Sequence, residues 1–370
     1  MSTFTLSHPL AKVVMLVLTF IPVAKQIGAQ SVNGASEIGA AIPKAYITRY
    51  TTQPPNIDGI IDDTCWQKAV WSDKFVDIEG EKKPKPSFDT RMKMMWNDTC
   101  LYIAATLSDP HVWATLTRHD AVVFHDNDFE VFIDPENGTH GYFEVEINAF
   151  NTIFDLFLNK PYRNGGKALH SFTVTGLQSA VHINGTLNNA ADLDSGWSVE
   201  MAIPFRALTT GKIKKQPGEG STWRINFSRV QWNTNIAAGR YIKSVGDNGK
   251  PISENNWVWS PQGVINMHWP ERWGYLLFTK KDHSVLSEFE PTIKIYQEQY
   301  LWLLYHKQQA YFKKYHHYAT TLKNLGYKNE FFKIKEELNQ VSLKSDGSFF
   351  TISILGKTDT SSINNNGLIN

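Results

Sequence analysis

Apolar residues recur at every second position through the middle of the chain: Met92, Met94 and Trp96; Leu101, Ile103 and Ala105; Phe129, Val131 and Ile133; Phe143, Val145 and Ile147; Trp197, Val199 and Met201. Each series alternates with polar or small residues and is bounded by Gly, Pro, Asn or Asp, the pattern of half-buried strands in an antiparallel sheet. No long helical pattern separates the series, which argues against a barrel of alternating strands and helices and predicts two sheets packed face to face over residues 45–280. Past Lys280 the period changes. Ile293, Tyr296, Tyr300, Leu303, Leu304 and Tyr311 stand at helical spacing with no Gly or Pro between them, and Phe349-Phe-Thr-Ile-Ser-Ile354 then alternates again. The fold class expected is mainly β: a two-sheet antiparallel β-sandwich followed by a smaller α+β C-terminal segment, 281–370. The helix stripe is too apolar to stay in water. Trp257, Trp269 and Trp273 make the sandwich its expected cover, with a protein partner as the alternative, and removal of 281–370 is expected to leave ligand binding in place.

The N-terminus fixes an expected compartment. Lys12 precedes the apolar run Val13 to Ala24, which is shorter than the roughly 20 residues of a membrane span, and small residues follow at Gly28 and Ala29. Residues 1–29 therefore read as a signal peptide cleaved after Ala29, residues 30–44 as a flexible leader, and the product as secreted or periplasmic. With 37 basic against 36 acidic residues the chain carries a net charge of +1, so it lacks the positive field that holds nucleic acid or an anionic bilayer. Its 12 Trp, 14 Tyr and 21 Phe suit sugar faces and thick β-cores equally. Cys65 and Cys100, with no CxxC, cannot build a zinc or iron–sulfur site unaided. In an oxidising compartment they either form a disulfide or remain as small core hydrophobes, and both readings stand. Gly-Xaa-Ser-Xaa-Gly, HExxH and a Gly-rich phosphate loop are all missing from the sequence.

Four ordered segments carry a resemblance: Ile57-Asp-Gly-Ile-Ile-Asp-Asp-Thr-Cys-Trp66, Met95-Trp-Asn-Asp-Thr-Cys-Leu-Tyr-Ile-Ala104 with Asp109, Asn127-Asp-Phe-Glu-Val-Phe-Ile-Asp134, and Gly196-Trp-Ser-Val-Glu-Met-Ala-Ile-Pro204. Trp259-Ser-Pro and His268-Trp-Pro-Glu-Arg-Trp-Gly274 close the set. Together they resemble the family 9 carbohydrate-binding modules over about 235 residues. The resemblance implies a β-sandwich that binds an oligo- or polysaccharide without catalysis and takes part in carbohydrate catabolism. It also implies a site in which two aromatic rings sandwich one pyranose while charged and amide groups grip its hydroxyls. Carried over by position, Glu130 matches the acidic residue, Phe124 falls where the first sandwiching Trp stands, Glu146 replaces the gripping Arg, and His268 and Trp269 lie near the second Trp. On this reading Phe124 and Trp269 form the platform, Glu130 accepts from hydroxyls, and Arg229 with Asn148 donates. An Arg229–Glu146 ion pair within the sheet is the alternative use of Arg229.

Family members often carry structural calcium, for which Asp126, Asp128 and Asp134 with Asn137 are the candidate ligands here, against sheet-edge charges facing water. Glycoside hydrolysis by Glu130, Asp128, Glu144 and Glu146 needs carboxyls facing each other across a bond, whereas residues i and i+2 of one strand project side by side. A third class rests on the likeness of the sandwich to haem-binding electron-transfer domains, with Met267-His268 as the axial candidates. A scaffold role in an exported complex, through 281–370, is compatible with sugar binding.

Overall fold

The computed structural model describes residues 42–209, 216–281 and 289–370. The leader with its cleavage point at Ala29, and the 30–44 stretch up to residue 41, lie outside the described residues. Among the described residues, fifteen strands build the body. In order they are β1 (Ala45–Tyr50), β2 (Val76–Asp77), β3 (Thr90–Trp96), β4 (Cys100–Leu107), β5 (Asp128–Asp134), β6 (Tyr142–Asn148), β7 (Ile153–Leu158) and β8 (Ala168–Leu169). They continue as β9 (Gln178–Asn184), β10 (Gly196–Pro204), β11 (Thr222–Gln231), β12 (Thr234–Ala237), β13 (Arg240–Lys243), β14 (Asn255–Val258) and β15 (Gly274–Thr279).

The main sheet runs β8-β7-β6-β5-β11-β15-β1-β3-β4-β10-β9, with β14 joined to β11 and β2 beyond it. Its two halves fold over one core to make the sandwich: the odd positions of β5, β6 and β11 meet Met92, Met94, Leu101, Ile103, Trp197, Val199 and Met201 from the other side. The alternation read from the sequence is thus the core itself. The first strand adds two parallel pairings, β1 with β15 and with β3. Two glycines carry backbone that other residues cannot. At Gly59 (φ 86°) a Cβ would stand 2.7 Å from the His182 nitrogen, and at Gly196 (φ 133°) 2.0 Å from the Leu107 carbonyl oxygen. Cys65 and Cys100 are free thiols beside Trp66, Met95 and Tyr102 on the outer side of the β3–β4–β10 half.

Alternation alone would leave the even positions of β5 and β6 in water. Every residue of both strands is buried instead. A second apolar cluster, with Ile78, Val123, Phe132, Tyr142, Phe154, Leu156, Met267 and Trp273, covers that outer face. Its lid is aperiodic chain from the turns around residues 123, 162 and 270.

The C-terminal unit consists of α1 (Ile293–Tyr315) and a four-stranded antiparallel meander, β16 (Phe331–Ile334), β17 (Glu337–Ser345), β18 (Phe350–Leu355) and β19 (Thr360–Asn364). Thr292 caps the helix, its hydroxyl accepting the Ile295 N–H at 3.3 Å. Tyr300, Leu301, Leu304 and Tyr305 pack on Phe332, Ile334, Val341, Ile352, Ile354 and Ile363. The helix stripe expected to lie on the sandwich is therefore covered first by the unit's own sheet, three strands of which carry too little apolar alternation to be read from sequence. Contact with the sandwich is polar and aromatic. Asn164 Nδ2 donates to the Tyr305 hydroxyl at 2.7 Å, and Glu271, itself paired with Arg163 within the sandwich at 2.8 Å, lies 2.9 Å from His306 of the helix. Among the described residues no helix is long and apolar enough to cross a membrane.

Candidate functional site

The covered outer face of β5, β6 and β11 holds a cavity of about 350 Å³. Strand parity builds its floor. Glu130 and Phe132 of β5, Glu144 and Glu146 of β6, and Val230 of β11 share the face opposite the core, and register sets Ser228, Glu130 and Glu146 in one row across three strands. The walls come from turns: Phe124, Tyr162, His170, Met267 and His268. Tyr162 stands at the rim, 45% exposed, its ring edge-on to His268 at 4.5 Å between centroids. His268 Nδ1 lies 3.0 Å from the Tyr142 hydroxyl, and burial holds its ring down at about 4, so it is neutral at physiological pH.

Glu130, Glu144, Glu146 and Glu254 line the cavity with no Lys or Arg among the lining residues, and Asp128 lies beside Glu130 and Glu146. Burial pushes Glu130 up to about 7. Glu144 and Glu146 are raised well above the usual carboxylate range by burial and then by the Glu130 charge, and Asp128 likewise. One oxygen of Glu146 accepts the Phe124 N–H at 3.0 Å, which fixes the wall turn against the floor.

The structure brings together Phe124, Glu130, Glu146 and His268 from the residues expected at the site, and separates the rest. Arg229 stands on the core face: it opposes Phe129, pairs with Asp109 at 3.1 Å and donates to the Ser108 carbonyl, Thr90 and Gln231. Neither the donor role toward a sugar nor the Glu146 pair is available to it. Asn148 is consumed locally. Its amide donates to the Leu116 carbonyl and Asp126, and its oxygen accepts from Phe150 and Thr152. Trp269 turns away from the cavity and stacks on His306 of α1, 4.5 Å between centroids and 9° from parallel. Adjacent residues point to opposite sides, so His268 enters the cavity and Trp269 meets the C-terminal unit. The calcium set also divides. Asp126 lies just before β5 begins and Asp134 at its far end. Asp126 accepts from Thr115, Leu116 and Asn148, and Asp134 from Glu136 and Thr139. Asp128 alone of the three reaches the floor. Tyr162, His170 and Asn256 line the cavity without any expectation from sequence, since aperiodic turns and an isolated strand position carry no pattern signal.

The fold is a β-sandwich with a partly enclosed cavity on one sheet face. Residues 57–239, just under half of the chain, belong to the family described as Carbohydrate family 9 binding domain-like. It is 27% identical over 160 residues to the exoglucanase XynX of Acetivibrio thermocellus, a match covering 42% of this chain and only 12% of that enzyme. Among solved structures it is similar to a Bacteroides uniformis protein proposed to bind carbohydrate, at 16% identity and TM-score 0.47, covering 64% of this chain and 99% of that one. It is also similar to a family 9 carbohydrate-binding module of Caldicellulosiruptor kristjanssonii solved with cellotriose, at 15% identity and TM-score 0.42, covering 67% and 100%.

Proposed function

We propose that the protein is an exported, non-catalytic carbohydrate-binding protein that takes a sugar residue into the cavity on the outer face of β5, β6 and β11. The observation that carries this reading is the pairing, within a family 9 carbohydrate-binding fold, of an exposed aromatic rim with a floor of hydrogen-bond acceptors. A pyranose presents axial C–H groups to the Tyr162 ring while its hydroxyls donate to Glu130 and Glu146. The volume, about 350 Å³, sits at the small end of ligand sites and suits one or two sugar units. Binding is favoured over hydrolysis because Glu130 and Glu146 rise side by side from paired strands rather than facing each other across a bond. Export rests on the Lys12 to Ala29 pattern, and participation in polysaccharide breakdown on the company such domains keep.

Glycan-array screening followed by calorimetric titration of the full chain tests the reading, and silence toward every oligosaccharide at millimolar concentration removes it. Tyr162→Ala is expected to weaken binding about tenfold, ~1.4 kcal/mol, the scale of one lost ring face. Trp269→Ala, by contrast, is expected to loosen the C-terminal unit through the lost His306 stack rather than remove a sugar platform. An affinity left intact by Tyr162→Ala would move the platform elsewhere.

A further inference from the structure

The carboxylates on the cavity floor are too many for a surface that only accepts hydrogen bonds from hydroxyls. One oxygen each of Asp128, Glu130 and Glu146 lie within 4.8 Å of one another, all three residues buried. Calcium–oxygen bonds of about 2.3–2.6 Å hold ligand oxygens at such separations, up to roughly 5 Å across the ion. A second observation is independent of the clustering. Asp128 Oδ2 is buried and makes no hydrogen bond, in a residue 0% exposed, whereas Ser228 bonds to Glu130 and Glu144 to Glu146. Asp128 spends its other oxygen on the Val230 N–H at 3.3 Å. Buried polar atoms ordinarily find partners, and an oxygen orphaned beside two further carboxyls asks for a shared electropositive one.

We propose that Asp128, Glu130 and Glu146 ligate a hard divalent cation of the calcium class at the floor of the cavity, with Glu144 and Ser228 beside it. Oxygen-only ligands on two adjacent strands suit calcium rather than a thiolate- or imidazole-seeking metal. Three carboxylates supply three to six of the six to eight oxygens calcium takes. The remaining positions open to the cavity, where water is replaced by vicinal hydroxyls of the bound sugar. This last step rests on the carbohydrate reading; the cation site does not. The cation then stands where the family resemblance placed a gripping Arg, which accounts for the acidic residue at Glu146.

Metal-free full-length protein titrated with calcium by calorimetry, and with terbium by luminescence sensitised from the tyrosines of the cavity, tests the site without any sugar. One ion per chain is expected, with a rise in the melting temperature as calcium is added. Glu130→Gln and Glu146→Gln keep the side-chain shape and are each expected to weaken calcium roughly tenfold or more. His119→Ala, at the separate His119–Asp120–Asp155 group, is expected to leave it unchanged. No heat, luminescence or thermal shift in the wild-type protein at millimolar ion overturns the proposal, as does binding lost in His119→Ala but retained in both glutamine variants. Glycan titration is then run in calcium and in EDTA. Equal affinity in both overturns the bridging step, while calcium binding with no glycan response sustains the cation site and removes the carbohydrate reading.

Discussion

Glu271→Ala is expected to destabilise the protein by about 3 kcal/mol, to free the C-terminal unit from the sandwich, and to weaken ligand binding at a cavity it does not line. Glu271 is fully buried between Arg163 on the sandwich and His306 on α1, at 2.8 and 2.9 Å. Burial alone pushes its carboxyl up; the Arg163 guanidinium and the His306 ring outweigh that and hold it down at about 2. Removing the carboxylate leaves Arg163, whose side chain is 18% exposed, stranded among Trp269, Trp302 and Tyr305 without its anion. Arg163 follows Tyr162 in one short turn, so a loosened Arg163 also releases the rim ring. By this geometry the C-terminal unit holds the rim turn in place, so removal of 281–370 is expected to weaken binding rather than leave it intact.

The same carboxyl sets an acid dependence. Its folded value lies below the ordinary value of 4.5, so the stabilisation it gives is complete above about 4.5 and is lost as pH falls through 2. Hydrogen exchange along α1 and a pH series of thermal melts check both halves. Wild-type-like exchange in Glu271→Ala, or an acid limb that is identical in the two proteins between pH 4.5 and 2, would show that Glu271 does not hold the unit.

The core was legible because period two survives any loop arrangement: Phe129, Val131 and Ile133 face Phe227 and Ile225 whatever covers the other side. The same parity also contained the fate of Arg229. It stands in step with Ile225 and Phe227, hence on the core face, while Glu130 and Glu146 take the opposite one; pairing them ignored the alternation. The burial of the even face was not legible. Its cover is built from turns at Val123–His125, Tyr162–Asn164 and Pro270–Arg272, whose positions depend on long-range contacts rather than on local pattern. For that reason Tyr162 went unseen, and Trp269 was assigned to the cavity beside its neighbour His268. The helix of the C-terminal unit was visible from its spacing. Its meander was not, because β17 and β19 are half-exposed strands with few apolar residues and β16 is only four residues long.

Glu200→Ala is expected to cost about 3–5 kcal/mol, the largest single effect on the sandwich outside its apolar core, because one side chain there satisfies three donors, two of them buried. Glu200, on β10 and fully buried, accepts the Trp66 indole N–H at 2.6 Å with one oxygen and the Asp58 and Gly59 N–H groups at 3.2 and 3.0 Å with the other. Ser198, two residues earlier on the same face, donates to the Gly59 carbonyl at 2.7 Å. The Asp58-Gly59 turn is thus sewn onto β10, and Gly59 can sit against His182 only because it lacks a Cβ. Alanine removes the acceptor from all three donors at once, and each orphaned group costs about 1–3 kcal/mol, less than additively since the turn can lift into water. Glutamine keeps one acceptor oxygen and is expected to lose about half as much. Urea unfolding of the two variants measures the difference. The face concerned belongs to the β3–β4–β10 half, away from the cavity, so the folded fraction of Glu200→Ala is expected to bind glycan and calcium as the wild type does. A loss below about 1 kcal/mol would show that the turn is held by packing of Trp66 rather than by the carboxylate.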